Sequence, residues 1–218
     1  MRALNTLPDK PSLRMSAQLR REQIIDVAIR LFSEKGFRGT TTKEIALAAG
    51  VNEAIIFRHF STKRALYSAI LDRKASHSQA VEAAVDKAMA RKDDRAVFET
   101  IAAHILDQHD QDDAFMRLLC YSALERHELA EMFHRNHVTY YYKYLAGYIK
   151  QRIADGAFRR VDAMTTVRAF IGMVLYHAQM NRFYGTNLVN ISNRQAAQRF
   201  TEICFSGIVA PTRTRKNG

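Results

Sequence analysis

Only three prolines occur in 218 residues, and all lie near the ends, at Pro8, Pro11 and Pro211. Residues 12–210 therefore contain none. Proline breaks helix interiors, and all-β folds need turn residues often. Glycine is scarce as well, at nine. These two shortages count against a sandwich, a barrel or a glycine-looped nucleotide-binding α/β fold, and they point to an all-helical chain. Cysteine is limited to Cys120 and Cys204. Two thiols cannot build a disulfide framework or a zinc cluster, and they fit a reducing compartment. No apolar run approaches the roughly 18 residues of a membrane span. Residues 1–18 lack the apolar stretch of roughly 7–15 residues that a secretory signal carries. The expected location is the cytoplasm.

What is present is ordinary globular composition, 47% hydrophobic and 25% charged, with a mean hydropathy of −0.27. That excludes wholesale disorder. The formal net charge is +11, and its distribution is uneven. Residues 1–74 hold 14 Lys+Arg against 7 Asp+Glu, whereas residues 75–218 hold 19 against 15. Arg213, Arg215 and Lys216 supply +3 of the latter excess, so residues 75–212 are close to neutral. A positive field on the N-terminal third favours a polyanionic partner, nucleic acid ahead of a membrane surface.

Residues 1–16 read as an arm without periodicity. A helix is expected over 16–35, with Ile24, Ala28, Leu31 and Phe32 on one face and Gly36 as its stop. Thr41 and Glu44 form a Thr-x-x-Glu capping box that opens a short helix over 42–49. Gly50 turns the chain, and Asn52 caps a third helix over 53–59. A fourth begins near Lys63 and extends toward Met89. Two short helices joined by a glycine-containing turn are the helix-turn-helix pattern. Its second helix enters the major groove with its first residues at the base edges, here Asn52, Glu53, Ala54 and Ile55. Val51, Ile56 and Phe60 would pack inward and fix the angle between the two helices.

Residues 20–71 carry these signals as an ordered series: LFxxxGF closing the first helix, TTxxxIAxxAGV, Phe57-x-His59-Phe60, then Lys63 ahead of an apolar helix. In this the segment resembles the DNA-binding domain of the TetR family of bacterial transcriptional regulators. The resemblance implies that Thr40 and Thr41 offer hydroxyl and backbone N–H groups to a phosphate, as helix N-termini do. It implies that His59 touches the DNA backbone and that Lys63 meets a phosphate as a point charge. Phe57 stands where the family usually has tyrosine and cannot donate the corresponding hydrogen bond. Glu53 departs from the usual basic or small residue. It either accepts from a cytosine amino group or stays in the helix cap, favoured by the dipole.

The C-terminal two-thirds read as five helices, over 94–109, 113–126, 128–154, 162–184 and 192–207, for about nine in all. Tyr140, Tyr141, Tyr142, Tyr144 and Tyr148 fall within nine residues. His137, Tyr141, Tyr144 and Tyr148 share a face, as core packing or as a pocket wall. The 162–184 helix is apolar on two sides. Looser similarity to the last family helices over 155–185 implies a dimer face through Val167, Ile171, Val174 and Ala178. The final helix would join it with Ala196, Phe200, Ile203, Cys204 and Gly207. The other side, Phe170, Met173, His177 and Met180, would face an effector pocket. Phe98, Phe115, Met116, Leu119, Phe133, His137 and Tyr141 would complete that pocket, with His137 and His177 as its polar handles.

The division expected is an arm over 1–16, a helix-turn-helix domain over 17–65, a ligand-binding and dimerisation domain over 66–210 and a basic tail over 211–218. No catalytic constellation and no cofactor motif stands out. His134 and His137 near Glu131 lack the neighbours of a metal site, so no metal is expected. The reading is a homodimeric DNA-binding regulator, most simply a repressor released from a palindromic operator by a small apolar effector. A DNA-binding protein of the same fold without an effector is the alternative.

Overall fold

The computed structural model describes residues 15–76, 79–111, 113–185 and 189–206. Among these residues the fold is all-α with no strand. The N-terminal helices form where short-range signals place them. Ser16 accepts the Leu19 N–H at 3.2 Å and opens α1, Ala17–Lys35, which Gly36 ends in the left-handed region at φ 73°. Thr41 opens α2, Thr42–Ala48, and Asn52 opens α3, Glu53–His59. The expected fourth helix is described as α4, Lys63–Ser76, and α5, Gln79–Ala90, with residues 77 and 78 outside the described residues.

Next come α6, Asp94–Gln111, and α7, Ala114–Leu124. The single helix expected over 128–154 is interrupted. After α8, Glu128–Phe133, one wider turn spans His134–Val138, and α9 follows over Thr139–Ala154. In that turn the Thr139 N–H reaches back five residues to the His134 carbonyl, and the Thr139 hydroxyl donates to the same oxygen at 3.0 Å. Asp162 caps α10, Ala163–Phe183, by accepting the Thr165 N–H at 2.7 Å. The chain then forms α11, Asn193–Ser206. Among the described residues no helix is long and apolar enough to cross a membrane.

Two apolar cores organise these helices. The first takes Ile24, Ile25, Phe32, Ile45, Ile56, Leu66, Tyr67 and Ile70 from α1–α4, and it also takes Leu118 from α7. Phe115, Leu119, Met132 and Phe133 pack around its edge. The second core is built by α5, α6, α9, α10 and α11 around Phe98, Leu106, Leu145, Val167, Phe170 and Val174. The expected boundary between residues 65 and 66 falls inside α4, whose buried residues pack with α1.

The tyrosines of α9 fasten it to the carboxylates of α5 and α6. Tyr141 donates to Glu82 at 2.6 Å, Tyr144 to Asp86, and Tyr148 to Asp94 at 2.5 Å. Burial and these carboxylate neighbours push the Tyr144 and Tyr148 phenols upward in pKa. At the lower end Arg152 holds both Asp94 oxygens, at 2.7 and 3.0 Å, and Asp155 at 2.6 Å. The Arg152 and Asp94 side chains are 11% and 19% exposed. Breaking such a shielded pair strands the remaining charge. Arg152→Met is therefore expected to lower stability. Urea denaturation measures this, and a midpoint unchanged from the wild type would show that water screens the cluster.

Candidate nucleic-acid interface

The helix-turn-helix is fastened at its two N-termini. At the start of α2 the Thr41 N–H donates to Glu44 Oε2 at 2.8 Å, while the Glu44 N–H donates to Thr41 Oγ1 at 3.1 Å. At the start of α3 the Asn52 carbonyl oxygen Oδ1 accepts the Ile55 N–H at 3.0 Å. Between them Thr42 donates its hydroxyl to Glu53 Oε1 at 2.5 Å. Glu53 thus sits in the first turn of α3, where a carboxylate suits the helix dipole, and also ties α3 to the first residue of α2. Ile56 and Phe60 are buried, and Val51 is half-buried against them.

The outer face of this pair presents the cap residue Asn52, Ala54, Phe57 and Arg58 from α3, and Lys43 and Leu47 from α2. Phe57 is 48% exposed and Leu47 82%. Ile55 is half-buried and packs against the first core, so it is less free to reach a base than its position suggested. His59 is half-buried beside Phe60. Lys43 and Arg58 were not among the residues singled out from the sequence. Counting three and four residues onward from Ala54 would have put Arg58 on the outer face.

Two expected phosphate contacts are engaged elsewhere. Thr40 is buried, and its hydroxyl lies 2.9 Å from the Gly36 carbonyl and 3.2 Å from that of Leu31. It closes the end of α1 and presents no hydroxyl outward. Lys63 turns back over the α1–α2 turn, where its ammonium donates to the Phe37 carbonyl and stands 4.0 Å from the Phe37 ring centroid. Burial pushes its pKa down, while Glu125 and Glu44 pull it up.

The residues expected to line one effector pocket divide between the two cores. Phe98 and Phe170 meet edge to face at 4.9 Å, fully buried in the second core, with Met173 packed beside them. Phe115 and Phe133 meet at 5.6 Å at the rim of the first, with Leu119 nearby and His137 following Phe133 at 5.4 Å. His177 packs on Phe200 at 5.4 Å and pairs through Nε2 with Asn181 at 3.1 Å. Met116 of α7 meets Gln179 of α10 at 4.0 Å, and Met180 is half-buried near the same end. A small niche of about 30 Å³ lies beside Tyr140, Tyr141, Tyr144, Glu82 and Asp86. His109 also belongs to this half. Its Nδ1 pairs with the Ile105 carbonyl at 2.6 Å, and its buried Nε2 has no hydrogen-bond partner among the described residues. Among the described residues no group of His, Cys, Asp and Glu could hold a metal ion.

The face expected to pair two copies turns inward. Val167, Val174 and Ala196 are fully buried, Ile171 and Ala178 nearly so. Phe200 and Cys204 are half-buried against the second core. The cause is that α6, α9 and α11 of the same chain cover α10. Ile203 remains on the surface, 44% exposed, as does Tyr176 on α10. Gly207 lies outside the described residues, as do residues 1–14 of the arm and the tail over 211–218.

Comparison with known proteins bears on both halves. Residues 24–70 match the family model for bacterial regulatory proteins of the tetR family. Residues 95–204 match that for the C-terminal domain of AefR-like transcriptional repressors. The transcriptional regulator AcrR of Shigella flexneri is 37% identical over 94 residues, 43% of each chain. The alignments with the first curated relatives span 30% to 58% of those proteins' own length. Among solved structures, FadR of Bacillus subtilis in complex with stearoyl-CoA superposes with a TM-score of 0.70 at 17% identity, over 86% of this chain and 99% of that one. AibR in complex with isovaleryl coenzyme A and operator DNA gives 0.63 at 21% identity, over 85% and 98%. At these identities the likeness concerns the fold.

The capping box carries its own pH dependence. The Lys35 ammonium, 2.8 Å away, and then the Thr41 N–H hold the Glu44 carboxyl at about 2, against an ordinary 4.5. A carboxyl lowered by folding stabilises fully above its unfolded pKa and loses that effect as pH falls toward the folded one. The contribution of Glu44 is therefore expected to be complete above pH 4.5 and to fade between 4.5 and about 2. Thermal midpoints against pH should fall less steeply across that window for Glu44→Gln than for the wild type.

Proposed function

Because this chain belongs to the TetR family of bacterial regulatory proteins, we propose that it is a sequence-specific DNA-binding repressor whose hold on its operator a small molecule regulates. The observation that carries this reading is the tied pair of α2 and α3. Asn52, Thr41 and the Thr42–Glu53 bond fix both N-termini, and Ala54, Phe57 and Arg58 face outward. A helix held this way can enter a major groove with Asn52 and Ala54 at the base edges. Glu53 acts here as a tie between helices, and Phe57 offers packing against sugar and phosphate. Lys43 and Arg58 meet the DNA backbone, while Thr41 spends its N–H and its hydroxyl on Glu44.

One such helix reads one half-site. Two copies related by a twofold axis place a second helix one DNA turn away, about 34 Å, and so read a palindrome. The outer surface of α10 and α11, with Tyr176 and Ile203, is the face proposed to pair them. DNA as partner places the protein in the cytoplasm, where the unpaired Cys120 and Cys204 remain reduced.

The effector is proposed to enter where α7 meets α10, near Met116, Gln179 and His177. FadR was solved with stearoyl-CoA and AibR with isovaleryl coenzyme A, which makes acyl-CoA thioesters the first class to test, alongside uncharged apolar compounds. His109 Nε2 offers a buried acceptor in the same half. A second reading, DNA binding without an effector, draws support from the division of the expected pocket residues between two packed cores. Thermal shift against both compound classes separates the two readings: stabilisation by a compound that also releases DNA favours the first.

The test of DNA recognition is to sequence genomic fragments retained by the purified protein. The expected result is one enriched palindromic motif, against a background no different from the input if the reading is wrong. On that motif Arg58→Ala is expected to reduce the slope of log affinity against log salt by about one unit per protomer.

A further inference from the structure

The turn from Gly36 to Gly39 joins α1 to α2, and it is gripped from two sides. From the C-terminal half, the Glu125 carboxylate at the end of α7 lies against Gly36, where a Cβ would run into it. The same carboxylate accepts the Arg38 N–H at 3.5 Å. His127, two residues on, places its ring 4.3 Å from that of Phe37. From α4, Lys63 donates to the Phe37 carbonyl and covers the Phe37 ring. One acidic and one basic side chain thus hold consecutive residues of the turn that leads into the helix-turn-helix.

Glu125 is poorly placed if considered alone. It faces the C-terminal end of α1, the negative pole of that helix, where a carboxylate is disfavoured. The ammonium of Lys63, which holds Phe37 of the same turn while Glu125 holds Arg38, offsets this, and Glu125 in turn favours the charged form of Lys63 against its burial. A lysine at the start of α4 cannot hold the Phe37 carbonyl and a DNA phosphate with the same geometry.

We propose that Glu125, although it stands in the C-terminal half, is a positioning residue of the DNA-binding half: it sets the Gly36–Gly39 turn and competes with DNA phosphate for Lys63. The proposal rests on the DNA-binding reading above. Engagement of Lys63 by phosphate leaves Glu125 facing the α1 terminus without its counter-charge, and α7 loses a hold on the turn. By linkage, any event that presses α7 onto the turn weakens DNA binding by the same factor.

The test has two arms on the full-length protein. In the first, affinity for duplex DNA is measured against salt for the wild type, Glu125→Gln, Lys63→Ala and the double variant. Glu125→Gln keeps an acceptor for the Arg38 N–H and loses the charge. It is expected to bind roughly threefold more tightly at fixed salt, with a slope steeper by about one unit per protomer. In the Lys63→Ala background the same change is expected to do nothing. A Glu125→Gln effect that is absent, or that persists without Lys63, overturns the competition. In the second arm, hydrogen exchange at the Arg38 amide needs no DNA. It is expected to quicken in Glu125→Ala and to stay protected in Glu125→Gln, and equal rates in all three proteins overturn the positioning role. If the wild type retains no duplex at low salt, the DNA-binding reading fails and the competition with it, while the exchange arm still decides the positioning role.

Discussion

Leu118 of α7 is buried in a core that α1, α2, α3 and α4 otherwise build among themselves. Four residues further along the same helix, Ser122 pairs its hydroxyl with that of Tyr67 at 2.8 Å, both of them buried. Burial pushes the Tyr67 phenol up to about 12. Its ring stands in a cluster with Phe32 and Phe37, centroids 5.5 to 5.7 Å apart. Arg117 adds a donor to the Ser33 carbonyl at 3.4 Å. Burying one leucine contributes about 1.5–3 kcal/mol, and removing a partner from a buried hydroxyl pair costs about 1–3 more. Without α7, the helix-turn-helix half would expose Tyr67 and leave its hydroxyl without Ser122.

The same helix has partners on its other side. Met116 meets Gln179 of α10, and Phe115 continues through Phe133 to His137 at the wide turn before α9. From there the bonds from Tyr141, Tyr144 and Tyr148 run along α5 to the head of α6, where Arg152 closes the series. Interiors are packed closely enough to transmit a displacement of one helix to its neighbours. Since α7 belongs to the first core and meets α10 through Met116 and Gln179, a shift of α10 against α7 would reach α1 and the turn before α2. The pair α2–α3 is held by its own caps and by Thr42–Glu53, so it would move as a unit.

Signals that act within three or four residues were legible in the sequence. The Thr41–Glu44 box, the Asn52 cap and the glycine after α1 are local, and the helices stand where those residues put them. Long-range partners were not legible. Lys63 was assigned to a phosphate by resemblance, and its bond to the Phe37 carbonyl, 26 residues away, left no local signal. The α9 tyrosines read as core or pocket wall because periodicity does not reveal Glu82 and Asp86 on a facing helix. Val167 and Val174 show the same limit in another form. An apolar face tells that something covers it, and only the fold tells that the cover is α6, α9 and α11 of the same chain.

Through Leu118, Ser122 and Arg117, α7 joins the helix-turn-helix half in one cooperative unit. Native-state hydrogen exchange on the full chain, comparing the wild type with Leu118→Ala, tests it most directly. The most protected amides of α1 and α4 are expected to lose as much opening free energy as those of α7, while α10 and α11 change little. Loss of protection in α7 alone, with α1 and α4 unaffected, would contradict it.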